Sequence, residues 1–209
     1  MMELPAFSAA AIRNSEPILG VLRTEFAQCR SVFEIGSGTA QHAVYFSSAL
    51  PELEWQTSDL ADHHELIRAR LLEAGLPNVR EPLLVDMESP PAIEPAYDAA
   101  YSSNTMHIMS MAAVRNLLPF VSGVLRPGGL FCYYGAFRRD QAYSTQSNAE
   151  FDRSLRARQS GMGLRDLEVV DSLASNAGLL RDRLYAMPAN NLLIVWSKQL
   201  RSDVSGLSD

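Results

Sequence analysis

The chain has 209 residues, of which 47% are hydrophobic, and this length suits one α/β domain with its own core. The formal net charge of −6 disfavours a protein that grips nucleic acid through its phosphates. No apolar run approaches the roughly 20 residues that span a bilayer, the first residues lack a signal-peptide pattern, and Cys29 and Cys132 lack metal-binding spacing. We therefore expect a cytoplasmic protein with no bound metal and with no nucleic-acid or membrane partner.

From residue 31 onward, short β-like runs alternate with helical patterns. Before them, residues 4–28 predict one helix, or two short ones separated at Pro17. The predicted strands lie at 32–35, 54–59, 79–85, 97–103 and 130–134, and the predicted helices at 41–50, 62–74 and 111–124. Strands that alternate with helices favour a parallel sheet with right-handed crossovers.

The C-terminal part has a different pattern. A capping box at Ser147-x-x-Glu150 predicts the start of a further helix, and residues 166–177 predict another. Residues 180–187 and 191–196 read as two strands, and the short turn at 188–190 allows an antiparallel hairpin. We expect one domain over residues 1–200 and a flexible tail at 201–209.

Residues 32–40, with the sequence Val-Phe-Glu-Ile-Gly-Ser-Gly-Thr-Ala, read as a nucleotide-binding turn after the first strand. Gly36 and Gly38 would let the backbone approach a ligand closely, and Glu34 is an acid where a purely structural strand would more often have an apolar residue. Asp59 ends the second strand, where it could accept hydrogen bonds from ribose hydroxyls or simply cap the next helix. Asp86 follows the third strand, where it could read an adenine amino group or belong to an ordinary loop.

The turn favours S-adenosylmethionine (SAM) over NAD as its ligand. A dinucleotide fingerprint has a third glycine beside the pyrophosphate, and this chain has Gln41 there. SAM has no phosphate and does not require that glycine. The residues predicted to bind SAM are Glu34, Gly36, Ser37, Gly38, Asp59, Leu60, Asp86, Met87 and Asn104.

Several longer motifs resemble the family known as domain of unknown function 938, which includes methyltransferase-like protein 26. They are Arg13-Asn14, residues 37–42 (Ser-Gly-Thr-Ala-Gln-His), residues 55–59 (Trp-Gln-Thr-Ser-Asp), residues 104–108 (Asn-Thr-Met-His-Ile) and residues 188–191 (Pro-Ala-Asn-Asn). The resemblance implies a Rossmann-like class I methyltransferase fold: a seven-stranded, mostly parallel sheet in the order 3-2-1-4-5-7-6, strand 7 antiparallel, helices on both faces and an N-terminal helical cap. The family usually has glycine where this chain has Ala40 and proline where it has Ala136.

The end of the fourth strand is the expected place of reaction, because ligands bind beyond the carboxyl ends of strands in such sheets. Asn104 could hold the methionine part of SAM or orient the acceptor. His107 could act as a general base, or it could be a structural histidine. Methyl transfer can proceed by alignment alone, so a base is not required. The tetrapeptide Asn-Pro-Pro-Tyr of DNA and protein-amide methylation is missing, which disfavours those substrates.

An acceptor pocket is predicted between the N-terminal segment and the region after the fifth strand. Residues 138–165 carry six arginines and three acids, a net charge of +3, which suits a small anionic substrate or merely a solvated helix face. The Asp152–Arg156 pair could also be only a surface salt bridge. The predicted substrate-binding residues are Arg13, Asn14, Tyr134, Phe137, Arg138, Asn148, Asp152 and Arg156.

The sequence thus predicts a SAM-dependent methyltransferase that acts on oxygen or nitrogen of a small metabolite, as a monomer or homodimer. Two alternatives stay open at this point. One is an enzyme that uses SAM in an intramolecular displacement and releases methylthioadenosine. The other is a SAM-binding interaction protein without catalytic activity.

Overall fold

The computed structural model describes residues 7–200, so the predicted tail at 201–209 lies outside the described residues. One seven-stranded sheet organises the domain. Its strands, in chain order, are β1 (Ser31–Ile35), β2 (Glu54–Asp59), β3 (Val79–Leu84), β4 (Tyr97–Ser103), β5 (Leu125–Gly135), β9 (Leu179–Met187) and β10 (Asn191–Lys198). The spatial order β3-β2-β1-β4-β5-β10-β9 confirms the predicted order 3-2-1-4-5-7-6. Strand β10 is antiparallel to both of its neighbours, as predicted.

In the described part of the chain, six α-helices accompany the sheet. They are α1 (Ala9–Glu25), α2 (Gln41–Ala49), α3 (Ala61–Ala74), α4 (Met111–Val124), α5 (Gln146–Arg158) and α6 (Leu167–Asn176). Within residues 7–200, no helix combines the length and apolar character needed to cross a membrane.

Two apolar clusters lie on opposite faces of the sheet because successive strand residues point to opposite sides. On one face, Val32 packs with Leu22 of α1 and Phe46 of α2. On the other face, Phe33 packs with Leu117 of α4 and Val170 of α6. Helices therefore cover both faces of the sheet, and its carboxyl edge is left for a site.

Helix α1 is continuous through Pro17 rather than broken there. Proline removes only one backbone donor, and the helix is held at its start by Ser8, whose Oγ accepts a hydrogen bond from the Ala11 N–H at 3.3 Å. Strand β5 begins earlier than predicted. Its register with β4 changes from Tyr97–Leu125 to Ala99–Leu130, so residues 126–129 bulge out of the pairing.

An insert between β5 and α6 was predicted only in part. It contains α5 and a small sheet of β6 (Phe137–Arg139), β7 (Ala142–Tyr143) and β8 (Arg165–Asp166) in the order β7-β6-β8. The predicted capping box at Ser147 is wrong, because Thr145 is the N-cap and accepts a hydrogen bond from the Asn148 N–H at 3.3 Å. Ser147 already lies within the first turn of α5.

Candidate active site

The turn between β1 and α2 requires glycine at its first position. Gly36 has φ +72°, and a Cβ there would lie 2.6 Å from Cγ2 of Thr105. The N–H groups of Gly36 and Ser37 both donate to the Ser58 carbonyl at 3.0 Å, which fixes the turn against the end of β2. The turn therefore packs closely against Thr105 and lies at the carboxyl edge of the parallel strands, while the predicted approach of its backbone to a ligand stays a prediction.

Glu34 is buried, with only 2% of its surface exposed. Its Oε2 accepts hydrogen bonds from Ser37 Oγ at 2.8 Å and from Trp55 Nε1 at 3.1 Å. Burial raises the pKa of Glu34 to about 7, although these two hydrogen bonds oppose the shift. Glu34 thus stabilises the turn through its hydrogen bond with Ser37, and it can hold a proton near neutral pH.

Asp59 connects the end of β2 to the turn. Its Oδ2 accepts a hydrogen bond from the Gly38 N–H at 2.6 Å, and its Oδ1 accepts one from the Leu60 N–H at 2.7 Å. The Nδ1 atom of His63 lies 2.7 Å from Oδ1. A carboxylate has about four acceptor positions, so one is left for a ligand hydroxyl and the His63 contact is exchangeable.

A cavity of about 410 Å³, called the Asp59 cavity below, contains most of the residues predicted to bind SAM. It is lined by Gly36, Gly38, Asp59, Leu60, Asp86, Met87 and Asn104, among others. Met87 is buried, whereas Asp86 is exposed and accepts a hydrogen bond from the Glu88 N–H at 2.9 Å. This cavity therefore has acids at one wall and an apolar floor.

A second cavity, of about 610 Å³ and called the His107 cavity below, adjoins the first. Both cavities are lined by Gly36, Gly38, Ser103 and Asn104. Asn104 has φ +60°, a conformation that asparagine tolerates better than most residues, and its N–H donates to the Tyr134 carbonyl at 2.8 Å. Asn104 thus lies where the two cavities meet.

The His107 cavity brings together residues that are far apart in the chain, including Ala189 and Asn191 of the C-terminal hairpin. Arg13 and Asn14 come from α1, Glu34 and Ser37 from the turn, His107 from the loop after β4, and Asn148 with Phe151 from α5. The N-terminal helix and the insert therefore both contribute to this cavity, and Arg13, Asn14 and Asn148, three of the predicted substrate-binding residues, line it.

His107 is 7% exposed, and its ring meets Phe151 edge-on at 5.2 Å between centroids. Among the described residues its buried Nδ1 atom has no hydrogen-bond partner. Burial, together with the smaller effects of the charges of Arg165 and Arg158, lowers the pKa of His107 to about 4. The imidazole is therefore neutral at physiological pH.

Five predicted substrate-binding residues do not line the His107 cavity. Tyr134 and Phe137 are buried in the apolar clusters on opposite faces of the sheet. Arg138 lies instead beside a separate cavity with Asp166 and Glu168.

The remaining two, Asp152 and Arg156, form an ion pair at 2.8 Å, which was the alternative interpretation of this pair. Asp152 is 1% exposed and also accepts hydrogen bonds from Tyr143 and from the Leu164 N–H. The pair therefore organises the insert rather than facing the cavity.

Gln41 and His42 line the His107 cavity and were not assigned a role from the sequence. Oε1 of Gln41 accepts hydrogen bonds from the Ser8 N–H at 2.6 Å and from Thr39 Oγ1 at 2.8 Å, which ties α1 to the turn. His42 Nδ1 lies 3.2 Å from the Tyr101 hydroxyl. The sequence offered a signal for Gln41, because it occupies the position at which a dinucleotide fingerprint has its third glycine.

Within residues 7–200, no group of three or more histidine, cysteine or acidic side chains could hold a metal ion. The arrangement is that of an organic-ligand site: a glycine turn, a strand-end acid, and two adjoining cavities.

Solved structures of methyltransferases share this architecture. The apo form of the SAM-dependent methyltransferase SibL matches with a TM-score of 0.76 and 21% identity, over 91% of this chain and 56% of that chain. An O-methyltransferase family protein from Burkholderia thailandensis matches with a TM-score of 0.79 and 18% identity, over 92% and 58%. Human N-acetylserotonin methyltransferase in complex with SAM matches with a TM-score of 0.76 and 14% identity, over 91% and 53%.

This chain spans little more than half the length of each of these proteins, and at such identities the likeness concerns the fold. The family assignment comes from the sequence itself. The family described as "Protein of unknown function (DUF938)" matches residues 5–198. The chain therefore belongs to that family, and its fold is the Rossmann-like fold of class I methyltransferases.

Proposed function

We propose that this protein is a SAM-dependent methyltransferase that acts on oxygen or nitrogen of a small metabolite. The observation that carries the proposal is the junction of the two cavities at Gly36, Gly38, Ser103 and Asn104. A cofactor bound across this junction would have its adenosine in one cavity and its methyl group in the other. The structural similarity to known methyltransferases supports the same assignment.

The residues present fit SAM. The Asp59 carboxylate retains an acceptor position for a ribose hydroxyl, and Met87 offers an apolar surface beside Asp86. A Cβ at Gly36 would collide with Thr105, whereas one at Gly38 would meet no protein atom within 4 Å, so Gly38 leaves open space beside the turn. Cavities of about 410 and 610 Å³ are within the usual range for small-ligand sites.

When bound, SAM supplies a methyl group activated by its positively charged sulfur. The chain contributes orientation: Asn104 lies at the junction, and α1 and α5 enclose the acceptor from two sides. His107 can form a hydrogen bond with the acceptor. Positioning of this kind alone removes much of the barrier to a bimolecular displacement.

Binding is the first test. Calorimetry with S-adenosylhomocysteine should give a dissociation constant in the micromolar range or below, and NADH should give no heat. Asp59→Ala should abolish the response to S-adenosylhomocysteine. A response to NADH without one to S-adenosylhomocysteine would overturn the cofactor assignment.

Turnover is the second test. Protein incubated with SAM and a deproteinised metabolite extract should produce S-adenosylhomocysteine, together with a methylated product. Methylthioadenosine as the product would identify the intramolecular displacement instead. If SAM binds and neither product forms with any extract, the protein is a SAM-binding protein without catalytic activity.

A further inference from the structure

Two arginines, Arg165 and Arg158, act electrostatically on His107. Arg165, on β8, donates through Nε to the Met106 carbonyl at 2.9 Å and through a terminal nitrogen to the Gly161 carbonyl at 2.9 Å. The same guanidinium donates to the Met109 carbonyl. It therefore braces the loop that carries His107.

Arg165 is only 8% exposed, and among residues 7–200 no carboxylate forms an ion pair with it. Asp152 acts on it only at longer range and is already paired with Arg156. A buried cation without a counterion produces a strong positive potential, because a low-dielectric interior screens it poorly. Arg158, at the end of α5, adds a second positive charge that acts on His107.

Helix α1 adds a third cation, and the cavity lining carries little negative charge. Arg13 lines the His107 cavity, and its charge acts on the Tyr134 hydroxyl. Of the described residues that line the cavity, Glu34 alone has a carboxyl group, and it is already engaged with Ser37 and Trp55. The cavity is therefore built to hold negative charge.

These groups are poorly suited to removing a proton from the acceptor. A histidine base becomes positively charged, and Arg165 and Arg158 oppose that charge while no acceptor holds Nδ1. Phe151, which packs on the ring from α5, is uncharged. Phenols and amines ordinarily titrate near pH 10 and are largely protonated at neutral pH, whereas a carboxylic acid titrates near pH 4 and is already ionised without any base.

We infer that the methyl acceptor is the carboxylate of a small acid, bound in the His107 cavity between Arg13 and His107. This inference rests on the proposed methyltransferase function and specifies its substrate class. Attack of a carboxylate oxygen on the methyl carbon forms an O–CH3 bond while the methyl–sulfur bond breaks, and its electron pair stays on sulfur. The anion and the sulfonium cation become a neutral methyl ester and neutral S-adenosylhomocysteine, and no proton is released.

The chemistry of the product provides the test. The full chain is incubated with SAM carrying a tritiated methyl group and with a deproteinised metabolite extract, and half of each sample is treated with mild alkali. A methyl ester releases volatile tritiated methanol, whereas methyl ethers and methylamines are stable. We expect most enzyme-dependent label to become volatile.

Label that stays non-volatile would overturn the carboxylate inference while leaving methyl transfer intact. Absence of any labelled product from protein that binds SAM would overturn the proposed function itself. The two failures are therefore distinguishable.

A binding measurement that needs no turnover complements this test. Benzoate and benzamide are nearly isosteric and differ in charge, so they are matched probes for the His107 cavity of protein saturated with S-adenosylhomocysteine. Binding followed by NMR should favour benzoate by at least about tenfold, and Arg13→Gln should remove most of that preference. Arg153→Gln, on an exposed position of α5, is the control and should leave the preference unchanged. Equal affinity for the two probes would overturn the inference.

Discussion

The carboxylate of Asp59 accepts a hydrogen bond of 2.6 Å from the backbone N–H of Gly38, a residue 21 positions earlier in the chain. This contact joins the end of β2 to the turn after β1. One side chain therefore shapes the turn and also presents an acceptor to the Asp59 cavity. Its loss should affect ligand binding more than global stability.

We predict that Asp59→Asn weakens S-adenosylhomocysteine binding by about 10- to 100-fold, because hydrogen bonds to a charged group contribute about 1.5–3 kcal/mol. Calorimetry measures this directly. Asp62→Asn is the matched control, since Asp62 is an exposed carboxylate in the first turn of α3. Equal losses of affinity in both variants would show that removal of a negative charge, and not of a specific hydrogen bond, weakens binding.

Ala40 should carry a conformational cost. It has φ 55° and ψ 15° at the start of α2, a left-handed conformation that costs a non-glycine residue about 1–2 kcal/mol. We predict that Ala40→Gly raises the free energy of unfolding by about 0.5–1 kcal/mol, after allowing for the greater flexibility of unfolded glycine. Urea unfolding checks this.

The control for this substitution is Ala43→Gly, at a buried position inside α2. There glycine should lower the free energy of unfolding by about 1 kcal/mol. If both substitutions change the free energy of unfolding in the same direction, the left-handed backbone of Ala40 is not the cause of the effect at that position.

Strand-end positions explain why the cofactor side of the site was predictable. Gly36 and Asp59 each follow an apolar or alternating run, and parallel topology brings such strand ends to one edge. The register of β5 was not predictable. It decides which face receives each side chain, and it places Tyr134 with α1 and α2 instead of beside an acceptor.

The small sheet of the insert had no periodic signal because its strands are only two or three residues long. Four of its residues are charged: Arg138, Arg139, Arg165 and Asp166. Their burial and pairing depend on tertiary contacts such as those of Arg165 with the loop carbonyls, which no local pattern encodes. The acceptor side was for this reason the less predictable half.

Glu34 makes stability depend on pH in a defined direction. Its pKa is raised to about 7 by burial, above the value in the unfolded chain. The folded state therefore holds the proton more strongly, and the resulting stabilisation, fully present at low pH, is lost as the pH rises through about 7. Between pH 5 and pH 8, the free energy of unfolding of the wild-type protein should fall by roughly 2 kcal/mol relative to that of the Glu34→Gln variant.

Urea unfolding of both proteins at the two pH values gives this difference. Contributions from His42 and His107 cancel, because both proteins contain them. Glutamine retains an oxygen that can accept from Ser37 and Trp55, so the comparison isolates the ionisable proton. If the free energies of unfolding of the two proteins change equally between pH 5 and pH 8, Glu34 is ionised in the folded protein over this range.

His107 should stay neutral well below the usual titration range of histidine. Its pKa is lowered to about 4 by burial and by the charges of Arg165 and Arg158. The unfolded chain takes up this proton at higher pH than the folded chain, so the folded state loses stability as pH falls from about 6.5 to 4.

Ring NMR signals of His107, assigned with His107→Asn, should therefore stay those of a neutral imidazole down to about pH 5. A midpoint near pH 6.5 would mean that neither burial nor the two arginines lower the pKa of the ring. It would also restore a general-base role to His107.

Asp152 should hold the insert together without contributing to cofactor binding. Its carboxylate accepts hydrogen bonds from Tyr143 at 2.7 Å, Arg156 at 2.8 Å and the Leu164 N–H at 2.6 Å. Asp152→Asn replaces one acceptor oxygen by a donor and leaves at least one of these buried partners unsatisfied, at a cost of about 1–3 kcal/mol. Because Asp152 does not line the Asp59 cavity, S-adenosylhomocysteine affinity should change by less than about twofold.

Amide hydrogen exchange shows which part of the protein is destabilised by Asp152→Asn. Exchange should accelerate in β6 to β8 and α5, while β1, β2 and β4 keep their protection, because the insert can open without breaking the main sheet. Glu150→Gln is the control, since Glu150 is exposed on α5 and its Oε1 contacts only Gln146 among the described residues. Faster exchange spread evenly over the whole domain would show that the insert and the sheet unfold as one unit.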